Sequence, residues 1–89
     1  MTKYRKKPIT IEAMQLNNHT DMWEIIDWAH TGLHPAANSI IIEDFGGVQI
    51  RTLEGWSHAS FGDWIIKGIQ GEFDSIKSNI FLKTYERVE

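Results

Sequence analysis

Cysteine is absent from these 89 residues, which rules out a disulfide framework and a thiolate zinc site and leaves packing to stabilise the fold. No apolar run approaches the ~20 residues that span a bilayer. The basic opening is not followed by the uninterrupted apolar stretch of a signal peptide, so a cytoplasmic protein is expected. Proline is scarce, with Pro8 and Pro35 alone, and no repeat, linker or low-complexity segment interrupts the chain. A phosphate-binding loop is missing as well. Gly68 and Gly71 are followed by neither the Lys-Ser/Thr pair nor the helix that such a loop needs.

What is present is an ordinary globular composition, 42% hydrophobic with four Trp and four Phe, which argues against disorder. A chain of this length makes one domain, residues 1–89, and buries roughly 60 to 65% of its unfolded surface around a single core. Its large apolar side chains exceed what one helix and a small sheet cover, so a homo-oligomer is expected. The net charge of −3 hides a division: Lys3, Arg5, Lys6 and Lys7 hold four of nine basic residues, leaving five against twelve acidic side chains elsewhere. The plainer role for the basic edge is to discourage edge-to-edge strand pairing. Such an edge could attract phosphates, but duplex binding wants a basic stripe over a whole face, and the acidic body works against it, so no duplex nucleic acid partner is expected.

The stretch from Phe61 to Phe73 organises the rest. Gly62 and Asp63 signal a turn, through positive φ and a carboxylate that bonds nearby backbone. Trp64, Ile65 and Ile66 then read as a strand covered on both faces. Gly68 and Gly71 bracket a hairpin loop that returns the chain through Phe73 to Lys77.

This segment resembles the Pro-Gly-Asp-Tyr/Trp-Ile-Ile-Lys-Gly-Val-x-Gly-Glu-Phe segment of a group of small phage and prophage proteins. Lys3-Tyr4-Arg5-Lys6-Lys7-Pro8-Ile9 is similar to that group's Tyr-Arg-Lys-Lys-Pro-Val opening. Ile80-Phe81 with Lys83-Thr84-Tyr85-Glu86 is similar to its Ile-Phe-x-x-Thr-Tyr-Glu ending. The resemblance covers the chain except roughly residues 17 to 50, with Phe61 replacing the group's Pro and Asp74-Ser75-Ile76 departing from its Tyr-Pro-Cys. It implies a phage product acting inside a bacterium and no particular reaction.

Along the chain, Ile9, Ile11 and Ala13 alternate with Thr10, Glu12 and Met14, predicting a half-buried strand within Thr2 to Leu16, with Pro8 keeping its start at an edge. Asp21 and Glu24 suggest a capping box and Gly32 a stop, with Met22, Ile25, Ile26 and Ala29 forming the apolar stripe of the helix between. Trp23 and Trp28 lie at its margins, as cover for a small core or as partner contacts. His34 to Asn38 reads as a loop, Ser39 to Glu43 as a central strand, and Phe45-Gly46-Gly47 as a turn. Strands from Val48 to Leu53 and Trp56 to Ser60 flank a turn at Glu54-Gly55. One helical turn at Ser78 to Leu82 precedes a closing strand at Thr84 to Val88. The expected fold is α+β, a bent and mostly antiparallel sheet of about six strands with one packed helix.

Catalytic candidates are weak. His30 and His34 have helical spacing but lack a third metal ligand. Glu43 with Asp44, and Glu72 with Asp74, sit at hairpin ends where charges are ordinarily just wet. Ser57 and Ser60 lie near His58, but neighbouring strand residues point to opposite faces, so no Ser–His pair is expected. No catalytic residue, metal or cofactor is therefore expected.

A two-residue turn at Glu54-Gly55 would pair Leu53 with Trp56, Thr52 with Ser57 and Arg51 with His58, placing Arg51, Trp56 and His58 on one face. A guanidinium, an imidazole and an indole are the parts of a nucleotide site. The plainer alternative makes Trp56 core and Arg51 a solvated cross-strand residue, and a bulge pairing Arg51 with Ser57 would disperse the cluster. Together with Trp64 and Lys67, these residues form the candidate site for a small anionic ligand, such as a nucleotide signal of host antiviral defence. The alternatives are a protein that binds and inhibits a host protein through exposed aromatics, and an enzyme modifying nucleotides.

Overall fold

The computed structural model describes residues 1–29, 46–52 and 54–88, together with the backbone of 41–44. The stop at Gly32, the His30 and His34 pair, the loop from His34 to Asn38, the start of the triple-Ile strand, Phe45 and Leu53 lie outside these residues.

Among the described residues the order is β1 (Glu12–Gln15), α1 (His19–Ala29), β2 (Ile41–Asp44), β3 (Gly47–Thr52), β4 (Gly55–Ser60), β5 (Trp64–Lys67), β6 (Phe73–Ile76) and α2 (Ser78–Thr84). The α+β class and the antiparallel pairing agree with the sequence. The single bent sheet does not: the strands form two three-stranded sheets, β1-β5-β6 and β2-β3-β4. The break falls at the turn after β4. There the Asp63 N–H donates to the Ser60 carbonyl at 3.0 Å, and the Asp63 carboxylate accepts the Ser60 N–H at 2.9 Å. Gly62 takes φ +100°, a value side chains resist. The Gly62 N–H and the Leu16 N–H then bond across to Leu16 and Asp63 carbonyls. The chain leaving β4 is thus fastened to the residue after β1, and β5 pairs with β1 instead of β4.

The first strand is shorter than its alternation implies. β1 starts at Glu12 because its partner β5 ends at Lys67, where the chain turns away. Pro8 has no N–H to extend the ladder, and Ile9 is exposed. β2 is an edge strand rather than the central one expected, since β3 pairs with β4 on its other side.

Helix α1 begins at His19, capped by the Asn18 side chain, whose Oδ1 accepts the Asp21 N–H at 2.9 Å. Asp21 instead accepts the Asn17 N–H at 3.0 Å. Asn is as good an N-cap as Asp, so the cap lies three residues before the expected one. Met22, Ile25 and Ala29 are buried, as the stripe requires. They meet Leu16, Val48, Ile50, Ala59, Ile65 and Phe73 in one core shared by both sheets. Trp28 closes its margin edge-on to Phe73, with ring centroids 5.2 Å apart.

The C-terminal segment is the other departure. The helical turn runs on to Thr84, and no strand forms at 85–88. Phe81 stacks on Trp64 at 4.2 Å and on Tyr85 at 5.1 Å, and the Trp64 indole donates to Ser78 Oγ at 3.4 Å. Sheet β1-β5-β6 therefore faces the core through Ile65 and Phe73 and meets α2 through Trp64.

Candidate functional site on the outer face of the β3–β4 hairpin

In a strand successive side chains alternate between faces. On β3 and β4, Val48, Ile50 and Ala59 are buried, so Gln49, Arg51, Trp56 and His58 occupy the opposite face. Arg51 and His58 are exposed and Gln49 is half-buried; Trp56 is 54% exposed.

The register differs from the expected one. The last pair is Thr52 with Gly55, so Gly55 belongs to the strand rather than the turn, and Arg51 lies opposite Trp56 and Gln49 opposite His58. The cause is local. The Thr52 hydroxyl donates to the Gly55 carbonyl at 2.9 Å and accepts the Glu54 N–H at 3.2 Å, which closes the hairpin earlier. Because the slip is of two residues, every side chain keeps its face. Arg51, Trp56 and His58 therefore still share one surface, with Arg51 and Trp56 directly opposed at the spacing where cross-strand side chains touch. Arg51 has no ion-pair partner among the described residues.

Trp64 and Lys67 do not join this cluster directly. Both belong to β5 in the other sheet, three residues apart and hence on opposite faces. Trp64 is stacked on Phe81, while Lys67 Nζ lies 5.9 Å from the centre of the Phe73 ring. A shallow groove lies beside Lys67, lined by Thr10, Ile11 and Glu12 on one side and by Gly68, Ile69 and Gln70 on the other. An internal anion already serves its loop, for the Glu72 carboxylate accepts the Gln70 N–H at 3.0 Å.

Of the acid–base candidates, the side chains of Glu43 and Asp44 lie outside the described residues, and Glu72 and Asp74 are locally engaged. Asp74 accepts the N–H of its neighbour Ser75 at 2.8 Å, as Glu72 accepts that of Gln70. Ser57 faces away from His58. Ser60, two positions along, lies on the same side as His58, contrary to the expectation for both serines, and its backbone is tied into the turn with Asp63. Among the described residues no three His, Asp or Glu side chains gather as metal ligands, and no helix is long and apolar enough to cross a membrane. The exposed indole of Trp23, 57% accessible on α1, is a second surface feature. No protein family, curated protein or solved structure matches the chain.

Proposed function

We propose that the protein is a non-catalytic phage accessory protein that binds and sequesters a small anionic ligand, a nucleotide signal of host antiviral defence, inside the bacterial cell. The observation that carries this reading is the outer β3–β4 face. An exposed guanidinium stands opposite an exposed indole, with an imidazole two residues further on the same side. The guanidinium takes phosphate in a bidentate grip, the indole stacks a base, and His58 supplies a donor. The phage setting rests on the resemblance at the two ends and the central hairpin.

The test is a calorimetric titration against linear and cyclic nucleotides. Arg51→Ala is expected to weaken binding by about 1.5 to 3 kcal/mol, as for a hydrogen bond to a charged group. Trp56→Ala is expected to cost about 1 to 3 kcal/mol through lost stacking. The exposed Trp23 favours a second reading, a protein that binds and inhibits a host protein. Wild type giving no heat with any nucleotide, or Arg51→Ala binding as well as wild type, would put that second reading first.

A further inference from the structure

The two ends of the chain carry its positive charge, and the fold brings them together. Seven of the nine Lys and Arg side chains lie within residues 3–7 and 77–87, whereas ten of the twelve acidic ones lie between residues 12 and 74. The first ten residues are exposed and belong to no strand or helix. They lead into edge strand β1, which pairs with β5. The outer face of β5 carries Trp64, the first ring of the aromatic column with Phe81 and Tyr85 that seats α2. Lys6 Nζ closes the circuit 5.9 Å from the centre of the Tyr85 ring. This contact sets the arm, which carries Lys3, Arg5, Lys6 and Lys7, against the C-terminal segment, which carries Lys83 and Arg87 with Glu86 between them. Lys77 does not count among these cations, since its charge is met by Asp63 at 3.1 Å. Tyr4 stands in the middle of the arm and is 92% exposed.

From this juxtaposition we infer that the arm and the C-terminal segment form a binding surface for single-stranded nucleic acid, distinct from the β3–β4 face. The phosphate backbone runs along the arm cations, and Tyr4 gives an unpaired base a stacking partner. Single strands are favoured over duplex for two reasons. A base in a duplex has no free face for Tyr4, and a rod of duplex lying across the small domain would be repelled by its acidic body.

The experiment is fluorescence anisotropy with labelled 20-nucleotide oligo-dT and oligo-U, the matching duplex, and anionic vesicles as a competitor. If four arm cations contact phosphates, the slope for single strands of about 0.7 per contact predicts a roughly 50-fold loss of affinity between 50 and 200 mM salt. Replacing Lys3, Arg5, Lys6 and Lys7 together by Gln should weaken binding at least tenfold and flatten the salt dependence. Tyr4→Ala should weaken it several-fold with the salt slope unchanged. Arg51→Ala should leave it intact, which separates this surface from the nucleotide site. Because the arm is unpaired, the thermal midpoint of the Gln variant should equal that of wild type. Were it to fall, Lys83→Gln with Arg87→Gln should still cost severalfold in affinity. Absence of single-strand binding at 50 mM salt, equal binding by the Gln variant, tighter binding of the duplex, or displacement by vesicles at equal phosphate concentration would each overturn the inference. The last result would assign the patch to anionic membrane surfaces.

Discussion

The Asp63 carboxylate, only 5% exposed, holds the turn between the two sheets, and its two kinds of partner contribute very differently. Lys77 approaches both oxygens, at 3.1 and 3.2 Å, but its side chain is 63% exposed, and an ion pair whose cation is solvated and free to move contributes about 1 kcal/mol. The Ser60 N–H bond lies inside the turn, where a lost acceptor strands a donor at a cost of about 1 to 3 kcal/mol. Urea denaturation should therefore show Asp63→Ala, which removes both partners, losing more stability than Lys77→Ala; equal losses would mean that the ion pair, not the turn, is what Asp63 serves. At Gly71, φ of +85° makes Gly71→Val costly by about 1 to 3 kcal/mol, measurable as a lower denaturation midpoint. Gly68→Val is expected to cost less. Its φ is ordinary, and a Cβ there would meet the end of the Glu72 side chain, which can swing aside at the cost of its bond to the Gln70 N–H. Gly62 and Gly71 were legible in the sequence because a turn glycine beside Asp or Glu announces itself. Gly47 was not legible in the same way. A Cβ at Gly47 would strike the Ala59 carbonyl oxygen on β4, a constraint set by a strand twelve residues away that no local pattern records.

At the scale of elements, short α2 illustrates how tertiary contacts override local preference. Seven residues are too few for a helix to persist alone in water, and Thr84-Tyr85-Glu86-Arg87-Val88 has the β-branched and aromatic character of a strand. The helix forms because Phe81 and Tyr85, one turn apart, stack in line with Trp64, and the Tyr85 N–H closes the last turn on the Phe81 carbonyl at 2.9 Å. The i, i+4 aromatic pair was visible in the sequence, but its receptor, the outer face of β5, is defined only once β5 is known to sit between β1 and β6. The β3–β4 hairpin shows the converse. Its shared face was legible because strand parity survives a two-residue slip, whereas its closing pair was not, because that depends on the Thr52 hydroxyl. Phe81→Ala should detach α2 without unfolding the rest. Amide exchange should then lose protection across residues 78–85 while β5 and β6 keep theirs; uniform loss over the whole chain would show that α2 is integral to the core rather than docked on it.

For the whole molecule, the distribution of tryptophan bears on assembly. Trp28 lies against Phe73 and Trp64 against Phe81, so two of the four indoles are accommodated by the fold. Trp23 and Trp56 remain 57% and 54% exposed on α1 and β4, and large aromatic surfaces left open are commonly completed by a partner. The core explains why: its buried residues run from Leu16 to Phe73 around one narrow interior, and a domain this small has no second core to receive them. A symmetric homodimer would cover one of these indoles twice over, since a two-fold interface uses the same patch on both copies. If Trp56 serves the ligand face, the dimer must use Trp23. Light scattering at micromolar concentration should then give about twice the 10.3 kDa of one chain. Trp23→Ala should shift the mass toward the monomer, and Trp56→Ala should leave it unchanged. A wild-type mass of a single chain would remove the dimer and leave Trp23 open for a host protein. A dimer broken by Trp56→Ala instead would bury the β3–β4 face and count directly against Arg51 as the ligand contact.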